Sequence, residues 1–321
     1  MEARMKALRF GKFGTPSVLA IEEVPRPEPR DGEALVQVKA AAINPSDVKN
    51  VLGQFQGTTL PRTPGRDFSG IVVAGKKYLG QEVWSSGPGF GSTRDGAHAE
   101  YVAIPEEALS LKPRTLNFEE AAAIGVPFVT AWSALVHAAQ LQAGETILII
   151  GATGAVGQAA TQIANWRKAR VLGAARSSHP IPGAAAAINT TTEDLRERVF
   201  ELTNGKGADA VFDTVGGALF EPALRSLRLG GRQVAITSTG ERRVCFDLID
   251  FYHNLSQLIG VDTMKLTPRD VAEIAEELYP GFEAEILKPP PLQFVPFENA
   301  VEAYEGIASG QAGAKHVLTF S

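Results

Sequence analysis

Apolar and polar positions change their period along this chain. The order Ala34-Leu35-Val36-Gln37-Val38-Lys39-Ala40 partly alternates, as a strand with one buried face does. Ile71-Val72-Val73-Ala74 and Glu100-Tyr101-Val102-Ala103-Ile104 are similar short runs. Pro25-Arg26-Pro27-Glu28-Pro29 and Gly87-Pro88-Gly89-Phe90-Gly91 punctuate them with turn formers. The segment before Asn117 therefore predicts a β-rich domain with many turns, not a repeat of strand and helix.

The pattern changes near Asn117. That residue can cap a helix whose first turn holds Glu119 and Glu120, where carboxylates favour the helix dipole. A second apolar helical stretch runs over about Thr130–Gln140. Strands then alternate with helices. The strands are Thr146–Ile150, Ala169–Ala174, Ala208–Asp213, Arg232–Ile236 and Leu258–Val261. The helices lie near Ala155–Trp166, Glu193–Leu202 and Leu219–Leu227. Apolar strands separated by helices imply parallel pairing with right-handed crossovers, which is a doubly wound sheet. Beyond Lys265 the pattern predicts a helix over Pro268–Leu278, a proline-rich loop, a helix over Phe297–Ala308 and a last strand over His316–Phe320.

Length and composition narrow the classes. A chain of 321 residues suggests two domains and can bury its own core. It carries 31 basic and 36 acidic residues, a net charge of −5, which speaks against a phosphate-dominated nucleic-acid surface. One cysteine, Cys245, allows neither an internal disulfide nor a cysteine-rich zinc site. The residues after Met1 form no apolar signal run, and no apolar stretch reaches membrane-spanning length. The expectation is a cytoplasmic chain without membrane or nucleic-acid partners.

The strand Ile147-Leu148-Ile149-Ile150 runs into Gly151-Ala152-Thr153-Gly154-Ala155-Val156-Gly157, and a helix follows. Strand, glycine turn and helix together present free backbone N–H groups to a pyrophosphate. A strict G-x-G-x-x-G is absent because residue 152 is Ala152. A tight turn without ligand is the competing reading. The next strand ends in Ala175-Arg176-Ser177-Ser178, where a binder of NAD would place an acidic residue on the ribose. A guanidinium with two hydroxyls suits a 2′-phosphate instead, so the cofactor expected is NADP(H). The alternative for Arg176 is an ordinary surface arginine. Two prolines at Pro180 and Pro182 interrupt any helix after Ser178.

With these motifs in place, the chain resembles the medium-chain dehydrogenase/reductase superfamily, in its zinc-free quinone oxidoreductase (zeta-crystallin-like) branch. The resemblance rests on Ala41-Ala42-Ile43-Asn44-Pro45-Ser46-Asp47, Pro64-Gly65-Arg66-Asp67-Phe68-Ser69-Gly70, Thr130-Ala131-Trp132, the loop Ala152–Gly157, Asp213-Thr214-Val215-Gly216-Gly217 and Gly313-Ala314-Lys315-His316-Val317. It implies an α/β fold, with a Rossmann sheet (residues 123–264) inserted into a GroES-like β-rich domain (1–122 and 265–321). It also implies a cleft between domains where nicotinamide meets substrate. The zinc-ligand positions of the superfamily fall on Asn44, Arg66 and near Val126, none of which is a usual zinc ligand. No metal is expected.

The resemblance places Asn44 beside the nicotinamide; its other reading is a turn residue before Pro45. Ser46 matches a proton-relay hydroxyl, and a helix N-cap explains it equally well. Arg66 could polarise a carbonyl or pair with Asp67 or Asp47. Thr130, Val215, Ser238, Thr239, Val261 and Asp262 are expected cofactor contacts, as is Lys315, whose alternative is an exposed lysine. Phe55, Phe251 and Tyr252 are expected to wall the substrate pocket or simply to be core.

Without a Lewis acid, an unactivated alcohol lacks alkoxide stabilisation, whereas a quinone or conjugated carbonyl delocalises the developing charge itself. The expected function is zinc-independent, NADPH-dependent hydride transfer to a quinone. The alternatives are reduction of conjugated enals, enones or acrylyl thioesters, and a non-catalytic NADPH-binding role. The partner is a small electrophilic acceptor. A homodimer is expected through the sheet edge near Leu258–Val261.

Overall fold

The computed structural model describes residues 3–87, 89–310 and 313–320. Pro88, in the second turn cluster, lies outside them. In chain order the elements of the β-rich part are β1 (Arg4–Arg9), β2 (Ala20–Pro25), β3 (Glu33–Ala42), α1 (Pro45–Val51), β4 (Asp67–Ala74), β5 (Glu82–Ser86), β6 (Tyr101–Pro105), β7 (Ser110–Leu111), α2 (Phe118–Ala123) and α3 (Gly125–Trp132). Then come β8 (Thr146–Ile150), α4 (Ala155–Trp166), β9 (Arg170–Ala175), β10 (Ala186–Asn189), α5 (Leu195–Leu202), β11 (Ala208–Asp213), α6 (Phe220–Leu224), β12 (Leu227–Ala235), α7 (Leu248–His253) and β13 (Gln257–Gly260). The chain closes with α8 (Pro268–Glu283), β14 (Leu292–Pro296), α9 (Ala300–Ala308) and β15 (Lys315–Thr319).

The chain divides into two compact units, Met1–Val129 with Met264–Ser321, and Thr130–Thr263. The first boundary falls later than the sequence suggested, because Ala122 and Ala123 of α2 pack on Ala40, Ala42 and Val317 of the β-rich unit.

In the first unit the sheet runs β14-β15-β3-β4-β5-β7, with β6 also on β3. Strand β3 is long enough to use one edge twice, pairing β6 along Glu33–Gln37 and β15 along Ala40–Ala42. Its inward residues Val36 and Val38 meet Phe68, Val72, Val83 and Phe90 in one buried cluster. The tail strand β15 is therefore stitched to the N-terminal sheet, which brings Lys315 to the carboxyl end of β3.

In the second unit six parallel strands take the order β10-β9-β8-β11-β12-β13, the Rossmann order. The central strand β8 reads Thr-Ile-Leu-Ile-Ile and is buried on both faces, as parallel strands covered by helices must be. Burying each such side chain stabilises the fold by about 1.5–3 kcal/mol.

Several elements differ from the sequence expectation. The strand β10 had not been read, because Ala184–Ala187 is weakly β-forming and follows a proline loop. The apolar stretch 130–140 splits into α3 and a π-helical turn, Ser133–Ala138. Helix α8 runs past Pro280 to Glu283, because continuing it buries Phe282 against Phe128, ring centroids 4.9 Å apart. The helix at 297–308 begins with a 3-10 turn and becomes α-helical at Ala300.

Candidate active site

In the first unit β3 ends at Ala42 and α1 starts at Pro45, whose missing N–H costs nothing at the first helical position. Asn44 is thus the N-cap. Its backbone N–H donates to Asp47 Oδ2 at 2.8 Å. The N-cap reading of Ser46 is corrected: it is the second helical residue, and its Oγ is buried with no hydrogen-bond partner among the described residues.

The Asn44 side chain reaches two other segments. Its Oδ1 accepts from Lys315 Nζ, and its Nδ2 donates to Asp67 Oδ2 at 3.0 Å. The same Asp67 oxygen accepts the backbone N–H of Val126 at 2.8 Å. A Cβ on Gly125 would overlap the Asp67 carboxylate, so only glycine fits there. Asp67 thereby ties β4, the N-cap of α1 and the start of α3 together. A cation on one end of the amide and a carboxylate on the other leave Asn44 a single orientation.

Asn44, Asp47, Arg66, Asp67 and Lys315 are all buried. Burial pushes the Asp47 carboxyl up to about 6, aided by the Asp67 charge and opposed by the Asn44 N–H, Arg66 and Lys315. Burial also lowers the Lys315 ammonium, while the carboxylates of Asp67 and Asp47 raise it. The reading of Lys315 as an exposed lysine is therefore corrected: the pairing of β15 with β3 buries it. Arg66 acts electrostatically on Asp47.

Behind the array lie two residues that sequence reasoning missed. Tyr304 of α9 hydrogen-bonds His98 Nδ1 at 2.9 Å, and His98 Nε2 meets Ala42 O at 3.2 Å. The carbonyl can only accept, so Nε2 carries the proton and Nδ1 accepts from the tyrosine hydroxyl. Burial pulls His98 down to about 4, keeping it neutral. Tyr304 falls on the buried stripe Ala300, Ala303, Tyr304, a helical spacing that signals a core position and gives no sign of a hydrogen-bond donor. Phe55 sits half-buried in the loop after α1.

In the second unit the glycine turn follows β8 and α4 starts at Ala155, capped by Gly154. Gly151 has φ +76°, and a Cβ on Gly157 would overlap Gly151 O and sit 2.6 Å from Ala152 Cα. The helix therefore begins directly against the strand end, with Thr153 and Gly154 exposed and Ala155 and Val156 half-exposed. First-turn N–H groups of a helix have no intrahelical partner, so this turn fits a pyrophosphate. Because all six strands are parallel, Arg176 after β9, Val215 after β11, Ser238 and Thr239 after β12, and Val261 and Asp262 after β13 share the glycine turn's edge of the sheet. Asp213 Oδ1 accepts from the N–H groups of Val215 and Gly216, and Ser238 Oγ accepts from Gly217, which fixes the turn after β11. Arg176 is exposed, Ser177 is half-buried beside it, and Ser178 Oγ accepts from Asn189 at 3.0 Å. Thr130 is buried in α3.

Phe251 and Tyr252 do not join either group. Phe251 packs on Phe246, centroids 5.4 Å apart, in a groove with Arg196, Phe200 and Leu227, while Tyr252 is exposed against His253. The groove's lining includes no residue of the glycine turn.

The donor set of the first unit does not fit zinc. Asn44 is engaged at both ends of its amide, Arg66 and Lys315 would repel a dication, and the Val126 side chain has no donor atom. Among the described residues no three His, Cys, Asp or Glu converge on one point.

Two family models match. The alcohol dehydrogenase GroES-like domain covers residues 30–114, and the zinc-binding dehydrogenase domain covers 155–279. The chain belongs to the medium-chain dehydrogenase/reductase superfamily, whose members bind nicotinamide cofactors, and is an oxidoreductase of its quinone oxidoreductase-like branch. It is 39% identical over 287 residues to a zinc-type alcohol dehydrogenase-like protein of Schizosaccharomyces pombe, covering 87% of this chain and 86% of that one. It is 31% identical to the quinone oxidoreductase of Homo sapiens, over 98% of this chain and 97% of that one. The crystal structure of an NAD-dependent alcohol dehydrogenase superposes with a TM-score of 0.88 at 30% identity, over 99% of this chain and all of that one.

Proposed function

We propose that this chain reduces quinones with NADPH and without zinc. The observation that carries the reading is the Lys315–Asn44–Asp67 array, in which Asn44, a position the resemblance matches to a zinc ligand, is held between a cation and a carboxylate. The glycine turn and the exposed guanidinium of Arg176, with no carboxylate beside it, support a phosphorylated dinucleotide.

The nicotinamide supplies a hydride when bound. A quinone needs one further proton to become a hydroquinone. Ser46, whose hydroxyl makes no hydrogen bond within the described residues, is available to relay that proton to a bound quinone. Lys315 and Asp67 hold the Asn44 amide fixed, so a polar contact there costs no reorganisation. Asn44 and Ser46 are the proposed catalytic residues. Thr130, the loop 151–157, Arg176–Ser178, Val215, Ser238, Thr239, Val261, Asp262 and Lys315 are the proposed cofactor residues, and Phe55 and Arg66 the proposed substrate contacts.

The assembly proposed is a homodimer. Strand β13 ends the six-stranded sheet, and its Leu258 and the preceding Tyr252 and Leu255 are exposed, an edge a second copy would cover.

Steady-state oxidation of NADPH and NADH with a panel of quinones and enones, before and after chelation, tests the function. The expected result is quinone turnover that prefers NADPH and survives the chelator. Turnover that requires stoichiometric zinc, or that occurs with enones alone, overturns it.

A further inference from the structure

The end of β10 acts on the end of β9. The two strands pair in parallel, with Asn189 beside Ala175, so Asn189 stands next to the segment that carries Arg176. Asn189 is buried, and both ends of its amide are engaged. Its Oδ1 accepts from the backbone N–H of Thr191 at 3.0 Å and from Thr191 Oγ1 at 2.7 Å. Its backbone N–H donates to Glu193 Oε2 at 2.6 Å. With two donors on the oxygen, the amide cannot rotate, and Nδ2 is the end that faces Ser178.

That orientation decides what the Ser178 hydroxyl can do. Nδ2 has only hydrogens to offer, so Ser178 Oγ must accept at 3.0 Å. A hydroxyl that accepts there has its own hydrogen left to point elsewhere. Ser178 is exposed and no acceptor within the described residues takes that hydrogen. Two residues away, the Arg176 guanidinium is exposed as well. A dianionic phosphate ester is the ligand that uses a guanidinium fork and a donating hydroxyl together.

We propose that Asn189 is a positioning residue for coenzyme specificity: it turns Ser178 into an outward hydrogen-bond donor that recognises the 2′-phosphate of the adenosine ribose alongside Arg176. The inference rests on the NADPH reading above and adds to it a residue that touches no ligand. The hydroxyl is held from the neighbouring strand rather than from its own segment, which the two prolines keep from forming a helix.

Asn189→Asp is nearly isosteric and keeps an acceptor for Thr191, but it offers Ser178 an oxygen instead of an N–H. The hydroxyl then turns inward and donates to the carboxylate. Binding of 2′,5′-ADP and 5′-AMP to the full chain is measured by calorimetry, which requires neither turnover nor nicotinamide. The parent chain is expected to bind 2′,5′-ADP at least ten-fold more tightly than 5′-AMP. Asn189→Asp and Ser178→Ala are each expected to reduce that ratio several-fold, and the double variant to reduce it no further than either single one. Asn189→Gln, which retains an N–H donor, reports whether a donor as such suffices and is expected to recover part of the ratio. If the parent shows no preference for 2′,5′-ADP, the NADPH reading itself falls. If the parent prefers it and Asn189→Asp keeps the full ratio, or if the two losses simply add, the role of Asn189 falls alone.

Discussion

The hydroxyl of Tyr304 lies 2.9 Å from Nδ1 of His98, a residue 206 positions earlier, and both side chains are fully buried. The bond fixes the histidine tautomer, and through Nε2 it pins the carbonyl of Ala42, two residues before Asn44. The His98 ring also packs on Gly65, where a Cβ would overlap it. One buried pair thus braces the segments that deliver Asn44 and Arg66.

Tyr304→Phe should leave His98 Nδ1 buried and unpaired. The expected loss is about 1–3 kcal/mol, seen as a lower urea midpoint with an unchanged slope. A midpoint equal to the parent's would show that the hydroxyl contributes no stability.

Asp47 and His98 make opposite contributions to stability as pH changes. The Asp47 carboxyl, raised by burial from 3.8 to about 6, binds protons more tightly in the folded chain. Its contribution is therefore greatest in acid and is lost as pH rises to 6. His98, lowered by burial from 6.5 to about 4, contributes stability that is present above 6.5 and lost as pH falls to 4. Each amounts to at most about 3 kcal/mol over nearly the same interval, so these two contributions largely cancel there. Asp47→Asn removes the first alone, and its stability relative to the parent should climb with pH across that interval. Parallel curves for parent and variant, from denaturant titrations at several pH values, would refute the assignment.

Lys315→Met removes the donor to the Asn44 amide oxygen and a cation facing two buried carboxylates. Breaking such a buried arrangement costs roughly 3–5 kcal/mol. Lys315→Arg keeps the charge and should recover part of the loss in thermal unfolding. If Met and Arg variants melt alike, the charge has no stabilising role there.

Gly157→Ala places a methyl group against Gly151 O and Ala152. Helix α4 must shift from the end of β8, at about 1–3 kcal/mol. Dinucleotide affinity should fall at least ten-fold, because the first-turn N–H groups no longer sit where the phosphate needs them. Fluorescence titration with NADPH reads this directly. Unchanged affinity would remove the glycine turn from the binding site.

Arg176→Ala should weaken NADPH about ten- to hundred-fold and leave NADH nearly unaffected, the loss expected for one charge-assisted pair. Equal losses for both coenzymes would assign Arg176 to general electrostatics instead.

Local order in the chain was sufficient for the centre of the sheet that carries the glycine turn, though not for its edge strand β10. The strand Thr146–Ile150, the helix Ala155–Trp166 and the strand Ala208–Asp213 occur where apolar period and capping residues put them, because a parallel strand and the helix after it are specified by residues close in sequence. Asn117 and Glu120 form their reciprocal cap for the same reason. What the linear order could not decide is which distant side chains share a buried volume. Lys315 meets Asn44 because β15 pairs with β3, Val126 meets Asp67 because α3 starts beside β4, and Tyr304 meets His98 although the whole second unit lies between them in sequence. Burial then sets the protonation of Asp47, His98 and Lys315, since the cost of removing a charge from water depends on all the surrounding segments at once. The residue types needed for the site were present in the sequence; their partners, their orientation and their charge states came from packing.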